Sequence, residues 1–305
     1  MRPLSPRYVG NPIIEVRKSG YLIDVLSILH PGAKKNSLRR MIDHGRVLVD
    51  GTKATRAKET VSVGTLVETL SRKEVERRAP RGERILKPVI LYEDDEVIVV
   101  DKPPGLLSVA TNKGEPDTMF DRVLNWVSQN QTMRARLVHR LDRETSGCMI
   151  LAKSTQVRDF LQRQFKDRSV ERIYHAVVVG KPDDESGVVT SRIQESSDKR
   201  VRLVPKGEIG GKEAITNWQL ERSAPIHSLM RIKIDTGRRA QIRLHMSDIG
   251  CPVVGDTRYG LGKASVNRLC LHASEIQFEH PNGRRIRVKS SLPDKLYSEL
   301  KRKSL

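Results

Sequence analysis

An α+β fold in two domains is what this sequence predicts, and three observations predict it. Short runs rich in β-branched residues, such as VIVV at 97–100, are interleaved with stretches whose apolar residues recur at helical spacing. The segment 71–87 carries ten charged residues, together with Pro80 and Gly82, and lacks apolar periodicity. That composition reads as a linker between two folded parts. The full length of 305 residues is close to two domains of ~150 residues each.

Taken in order, Leu22, Val25, Leu26 and Leu29 lie at helical spacing, and Pro31-Gly32 ends that helix. A second helix is predicted over 35–44, with Leu38, Met41 and Ile42 facing inward and Gly45 as its stop. RVLV at 46–49 alternates as a strand, Asp50-Gly51 is a hairpin signal, and VSVGTLVE at 61–68 completes a small sheet. Lys34, Lys35, Arg39, Arg40 and Arg46 cluster around the second helix and its exit. Such a cluster is ordinarily a solvated face, so it indicates a ligand only in a wider context.

Beyond the linker, VILY at 89–92 and VIVV at 97–100 read as strands around the polar turn EDDE. Pro103 and Pro104 then fix the chain and withhold ladder donors. A helix is expected over 118–127, with Met119, Val123 and Trp126 on one face. HRLDRETSG at 139–147 is followed by CMILA, a buried strand, with Thr145-Ser146-Gly147 as the turn between them. An aspartate flanked by arginines, as Asp142 is by Arg140 and Arg143, is usually an ion pair worth little. A helix follows at 156–166, capped by Ser154 or Thr155, with Val157, Phe160, Leu161 and Phe165 assigned to the core. Residues 171–180 form a strand, and 181–227 are punctuated by glycine and proline without a clear pattern. Met230, Ile232 and Ile234 alternate as a strand, and Ile242, Met246 and Ile249 show helical spacing ended by Gly250. Residues 269–278 and 284–289 close the chain as a hairpin around Pro281-Asn282-Gly283.

Composition narrows the function class. Lys and Arg number 56 against 37 Asp and Glu, a net charge of +19. An anionic partner follows, nucleic acid ahead of membrane. Residues 1–87 hold 19 Lys+Arg and 9 Asp+Glu, so ten of those nineteen net charges lie at the N-terminal end. Aromatic residues are only 4%, too few for an array of stacking platforms along a single strand. No apolar run approaches the ~18 residues of a spanning helix, and MRPLSPRYVG has no apolar signal region. Cys148, Cys251 and Cys270 are widely spaced, which fits neither a disulfide framework nor a zinc site and points to a reducing cytoplasm.

HRLDRETSG matches in full the H-R-L-D-x-x-T-S-G motif of the RluA class of pseudouridine synthases, which it resembles. Other segments agree. DKPPGLL at 101–107 is similar to the family's K-P-x-G-L, although Ser108-Val109-Ala110 replaces the V-H-P of many members. RIYHAVVVG at 172–180 is similar to K-x-Y-x-A-x-V-x-G. TGRRAQIRLH at 236–245 resembles T-G-R-x-x-Q-I-R-x-H, with Ala240 where many members have His. The helices and strands of 19–70 resemble the S-four-type RNA-binding domain. The resemblance implies a small RNA-binding domain at 19–70, a charged linker at 71–87, and a catalytic domain at 88–298. The catalytic fold would be a mixed, mainly antiparallel sheet crossed by a central cleft.

By the same resemblance Asp142 is the catalytic carboxylate, Tyr174 lies over the flipped uracil, Arg243 pairs with Asp142, and Arg140 fills the space the base vacates. Lys34, Lys35, Arg39, Arg40 and Arg46 would grip structured RNA. Isomerising uridine within RNA needs no cofactor and no metal. Asp142 could attack the anomeric carbon, add to the ring, or act as a base at the sugar, and the residues do not choose among these. The implied partner is structured RNA, with large-subunit ribosomal RNA favoured and transfer RNA the alternative, modified by a cytoplasmic monomer that uses no membrane. Two rival classes are less well supported. A non-catalytic RNA-binding or ribosome-assembly protein is opposed by the intact Asp142, Tyr174 and Arg243. A hydrolase is opposed by the lack of a phosphate-binding loop or of an evident second carboxylate; Glu144, two residues from Asp142 on a turn, need not face the same cleft.

Overall fold

The computed structural model describes residues 12–71, 74–75, 86–111, 115, 117–130, 135–196, 200–260, 266 and 268–301. Most of the expected linker lies outside these residues. Two compact units emerge, Met1–Leu86 with Ala110–Asp117, and Lys87–Val109 with Thr118–Leu305.

In the first unit, β1 (Ile13–Glu15) and β2 (Gly20–Tyr21) precede α1 (Leu22–Leu29) and α2 (Lys35–Asp43). Then come β3 (Val47–Val49), β4 (Thr52–Lys53), β5 (Thr60–Val61) and β6 (Leu66–Thr69). Leu22, Val25 and Leu26 of α1 meet Leu38 and Ile42 of α2 over Val47, Val61 and Val67 in one core. Asp50 and Gly51 both have positive φ, at 49° and 78°. That is the two-residue turn whose twist suits a hairpin, and it joins β3 to β4. The expected single strand at 61–68 is corrected. Gly64 turns the chain at φ 89°, so β5 pairs with β2 while β6 joins β1 and β3. Three-residue β1 is too short to leave a periodic signal.

The second unit is built on an eleven-stranded sheet. Its strands are β7 (Val89–Glu93), β8 (Val97–Lys102), β9 (Arg136–Leu137), β10 (Ser146–Ala152), β11 (Glu171–Val179), β12 (Ser186–Glu195), β13 (Val201–Leu203), β14 (Lys212–Ser223), β15 (His227–Ile234), β16 (Leu271–Glu279) and β17 (Arg285–Lys289). The main order is β13-β12-β14-β15-β11-β16-β10-β8-β7, with β17 on β16 and β9 on β10. All of these pairings are antiparallel except β10 with β16. The helices are α3 (Met119–Asn130), α4 (Thr155–Lys166), α5 (Gln241–Asp248) and α6 (Asp294–Leu300).

Strands β8 and β10 are covered on both faces, which is why they read as unbroken apolar runs. Ile98, Val100, Met149 and Leu151 enter one core, shared with α3 and α5. Val97, Val99, Ile150 and Ala152 enter the other, beneath α4. Helix α4 starts as expected, the Ser154 hydroxyl accepting from the Val157 N–H. The stretch 181–227, which gave no clear pattern, holds β12, β13 and β14. Exposed and buried residues mix along β14, whose ladder with β15 shifts register between Leu220 and Arg222, and such mixing blurs a period of two.

Candidate active site

One cleft of about 360 Å³ in the second unit is lined by the 139–142 segment, Tyr174, and residues 237–243. Asp142, Tyr174, Arg243 and Arg140, named from three separate segments, all belong to its wall. The loop that carries Asp142 is held from both sides. The buried Ser108 hydroxyl donates to the Leu141 carbonyl at 2.7 Å and accepts from the Leu141 N–H at 3.0 Å. Fully buried Lys102 donates to the carbonyls of Pro103, Leu106 and Arg143 at 2.9, 2.7 and 3.0 Å. The Gly105 N–H also reaches the Arg143 carbonyl. The K-P-P-G-L-L-S segment therefore clamps the backbone on either side of Asp142. Burial, ahead of any charge, lowers the pKa of Lys102 to about 8.

The expected turn at Thr145-Ser146-Gly147 is corrected: the turn is at 143–144, closed by the Thr145 N–H to the Asp142 carbonyl, and Ser146 already belongs to β10. Gly147 has φ 111°, and a Cβ there would lie 2.2 Å from the Ala273 carbonyl oxygen. Only glycine lets β16 come this close beside β10.

Tyr174 sits on β11 with 7% exposure. Burial pushes its phenol above the ordinary value, Arg172 pulls it back, and Asp142 pushes it further up, so it remains a neutral hydroxyl. The expected direct pair between Arg243 and Asp142 is also corrected. Both fork nitrogens of Arg243 donate to Asp256 at 2.6 Å. Asp256 is pre-aimed, because its Oδ1 also accepts from the N–H groups of Arg258 and Tyr259 at 2.9 Å. Tyr259 lies over the guanidinium at 4.8 Å. Burial opposes the charge on Arg243, but the bonds to Asp256 and the charges of Asp256 and Asp142 leave its pKa raised. Asp142 thus acts on Arg243 as a neighbouring charge rather than as its hydrogen-bond partner.

The T-G-R-x-x-Q-I-R-x-H segment divides its labour. Thr236 and Gln241 bond each other at 2.7 Å, and Gln241 reaches the Ile215 carbonyl and the Thr216 hydroxyl of β14. His245 lies between Thr216 and Ser191 at 2.8 Å from each. These side chains fasten α5 to the sheet and leave Arg243 to face the cleft. Ala240, at φ 54°, forms part of the wall. Phe165, assigned to the core by its helical stripe, packs half-buried against the second core and also lines the cleft, where it stacks on His139 with ring centroids 4.6 Å apart. In the first unit, Lys34, Lys35, Arg39 and Arg40 are exposed around α2, whereas half-buried Arg46 donates to the Leu70 carbonyl at 2.9 Å. Among the described residues no group of three or more His, Cys, Asp or Glu side chains is placed to hold a metal ion.

The chain matches the model of RNA pseudouridylate synthase over residues 96–248 and that of the S4 domain over residues 22–67. It is 33% identical to the ribosomal large subunit pseudouridine synthase D of Xanthomonas campestris, across 89% of this chain and 85% of that protein. This chain belongs to the RNA pseudouridylate synthase family. The protein of the same name from Pseudomonas aeruginosa is 31% identical across 90% of this chain and 88% of its own. Human RNA pseudouridylate synthase domain containing 4 superposes with a TM-score of 0.60 at 25% identity, over 70% of this chain and 91% of that one. As a pseudouridine synthase the chain is an isomerase, and its S4 domain is an RNA-binding module. Two groups that sequence reasoning passed over, Ser108 and Asp256, hold residues of the cleft wall in place. Ser108 stands just where the chain departs from the V-H-P pattern, and Asp256 lies in the loop after α5. Neither has a local sequence signal, because Ser108 acts on Leu141 33 residues away and Asp256 on Arg243 13 residues away.

Proposed function

We propose that this synthase isomerises uridine in large-subunit ribosomal RNA, with the Asp142 carboxylate as the reacting group. The observation that carries the reading is the convergence of Asp142, Tyr174, Arg243 and Arg140 on one cleft. Relatives that match along most of the chain are named for that RNA. RNA affinity is assigned to 19–70, where exposed Lys34, Lys35, Arg39 and Arg40 meet phosphates and half-buried Arg46, bonded to the Leu70 carbonyl, stands beside them. Chemistry is assigned to 88–298.

The target base leaves its stack to reach a half-buried carboxylate. Arg140, exposed on the cleft wall, occupies the vacated space. Tyr174 supplies a ring for the base to lie against and a neutral hydroxyl near the reacting atoms. Arg243, fixed by Asp256, sets the field in which Asp142 reacts. The enzyme works as a monomer in the cytoplasm. Asp142→Asn keeps shape and removes the nucleophile or base, so it abolishes isomerisation while folding and RNA binding stay near normal. The check is pseudouridine mapping on unmodified large-subunit ribosomal RNA, with binding and melting measured alongside. Substantial turnover by the purified variant would sink the assignment.

A further inference from the structure

Arg172 lines the same cleft, two residues before Tyr174, and none of the roles above falls to it. Its guanidinium lies 5.4 Å from the Phe165 ring centroid, and Phe165 in turn stacks on His139. Its hydrogen bonds among the described residues are long, from one terminal nitrogen to the carbonyls of Ile234 and Asp235 at 3.4 and 3.5 Å. Its Nε is buried and has no hydrogen-bond partner. A guanidinium has five N–H donors, and leaving them unmade in a buried place is costly. The chain nevertheless makes room for it: a Cβ at Gly237 would meet the Arg172 Nη1 at 2.8 Å. Arg243, by contrast, is committed to Asp256. A cation that is packed, given space and left short of acceptors is waiting for one from the substrate.

We propose that Arg172 is a substrate-contacting catalytic residue that donates hydrogen bonds to a carbonyl oxygen of the extruded uracil. Depth favours the base over a phosphate. Exposed Arg140 and Lys166 and half-exposed Arg238 also line the cleft, and they suit the hydrated phosphates. Arg172 has a buried Nε and, two residues before Tyr174 on β11, shares its face of the strand. The chemistry needs such a donor. When the glycosidic bond breaks, its electron pair stays on the uracil and the negative charge spreads to the two carbonyl oxygens. The charge is quenched when the ring carbon bonds the anomeric carbon; that carbon then gives up its proton and the freed ring nitrogen takes one up, so the composition of the base is unchanged. A fixed guanidinium stabilises the charge at the oxygen while the ring turns.

This inference rests on the synthase reading, so the wild type is part of the test. Unmodified large-subunit ribosomal RNA is transcribed, and single-turnover rates at saturating enzyme are measured for wild type, Arg172→Met, Arg172→Lys and Gly237→Ala. Arg172→Met is expected to lose roughly 10²–10³-fold in rate, the scale of one oxyanion donor, with RNA affinity and melting midpoint near wild type. Arg172→Lys, which keeps charge and bulk, loses less, and Gly237→Ala, which displaces the guanidinium, also loses rate. A thiocarbonyl in the target uridine slows the wild type but adds little to the Arg172→Met defect. The idea is overturned if Arg172→Lys and Arg172→Met both turn over within about threefold of wild type. It is also overturned if the Arg172→Met defect vanishes with a neutral methylphosphonate beside the target while the thiocarbonyl penalty persists, which would put Arg172 on a phosphate. No product from the wild type would overturn this idea together with the synthase reading, whereas a normal wild type beside an unimpaired Arg172→Met overturns this idea alone.

Discussion

Asp142 is held in its place by residues outside the cleft wall. Lys102 uses its three ammonium donors on three carbonyls, one of them next to Asp142 in the chain. Loss of one proton leaves three acceptors for two donors. Because burial puts the folded pKa near 8, below the ordinary 10.5, the unfolded chain binds more protons between those values. This group therefore adds to stability as pH rises through that window, even as the loop loses a bond. The expected outcome is a turnover rate that declines above pH 8 without a matching fall in melting midpoint from this group. A rate that stays flat to about pH 10, through the whole titration, would contradict it. Arg243 makes a second case at this scale. Arg243→Ala is expected to cut the rate severely and Arg243→Lys less, since charge survives but the fork does not. Asp256→Asn leaves a buried guanidinium underpaired and is expected to cost roughly 3 kcal/mol of stability along with activity. A denaturant midpoint for Asp256→Asn equal to that of wild type would show that the clamp is not holding the arginine.

At the level of elements, the site depends on one parallel contact in an otherwise antiparallel sheet. Strand β10 meets β16 at Ser146 opposite His272 and Gly147 opposite Ala273. Ser146 bonds the His272 Nδ1 at 2.9 Å and accepts from Arg268 at 2.8 Å. This junction fixes where the Asp142 loop leaves the sheet. Gly147→Ala combines a positive φ with a carbonyl oxygen in the way, and should cost roughly 2–4 kcal/mol while lowering turnover. Gly283→Ala is a useful contrast. It also has positive φ, but a Cβ there meets nothing within 4 Å, so only about 1 kcal/mol of backbone strain is expected. Chemical denaturation of both variants separates strain from collision, and equal midpoints would refute the collision argument.

For the molecule as a whole, charge and chemistry are segregated. The N-terminal 87 residues carry ten of the nineteen net charges, while Asp142, Tyr174 and Arg243 lie in the second unit. Replacing Lys34, Lys35, Arg39 and Arg40 with glutamine in the full chain should weaken RNA binding and leave the rate at saturating enzyme nearly intact. Each lost phosphate contact flattens the log–log salt slope by roughly 0.7–0.9. Unchanged affinity and slope would mean that this face does not meet the substrate.

The α+β class, α1 and α2, the buried strands β8 and β10 and the helix α4 could be read from the chain because each rests on local periodicity and capping. Asp142, Tyr174 and Arg243 could be named because their motifs are contiguous. Tertiary structure decided the rest. Ser108 and Leu141 are 33 residues apart, Lys102 and Arg143 are 41 apart, and each pair meets through a hydrogen bond that no spacing rule encodes. The fork of Arg243 went to Asp256 because two backbone N–H groups had already turned that carboxylate toward it. Phe165 packs against the core its helical stripe predicts, but only the tertiary structure shows that the same ring also walls the cleft beside Arg172. Local pattern specifies which face of an element is apolar, but only the packed sheet specifies what that face meets.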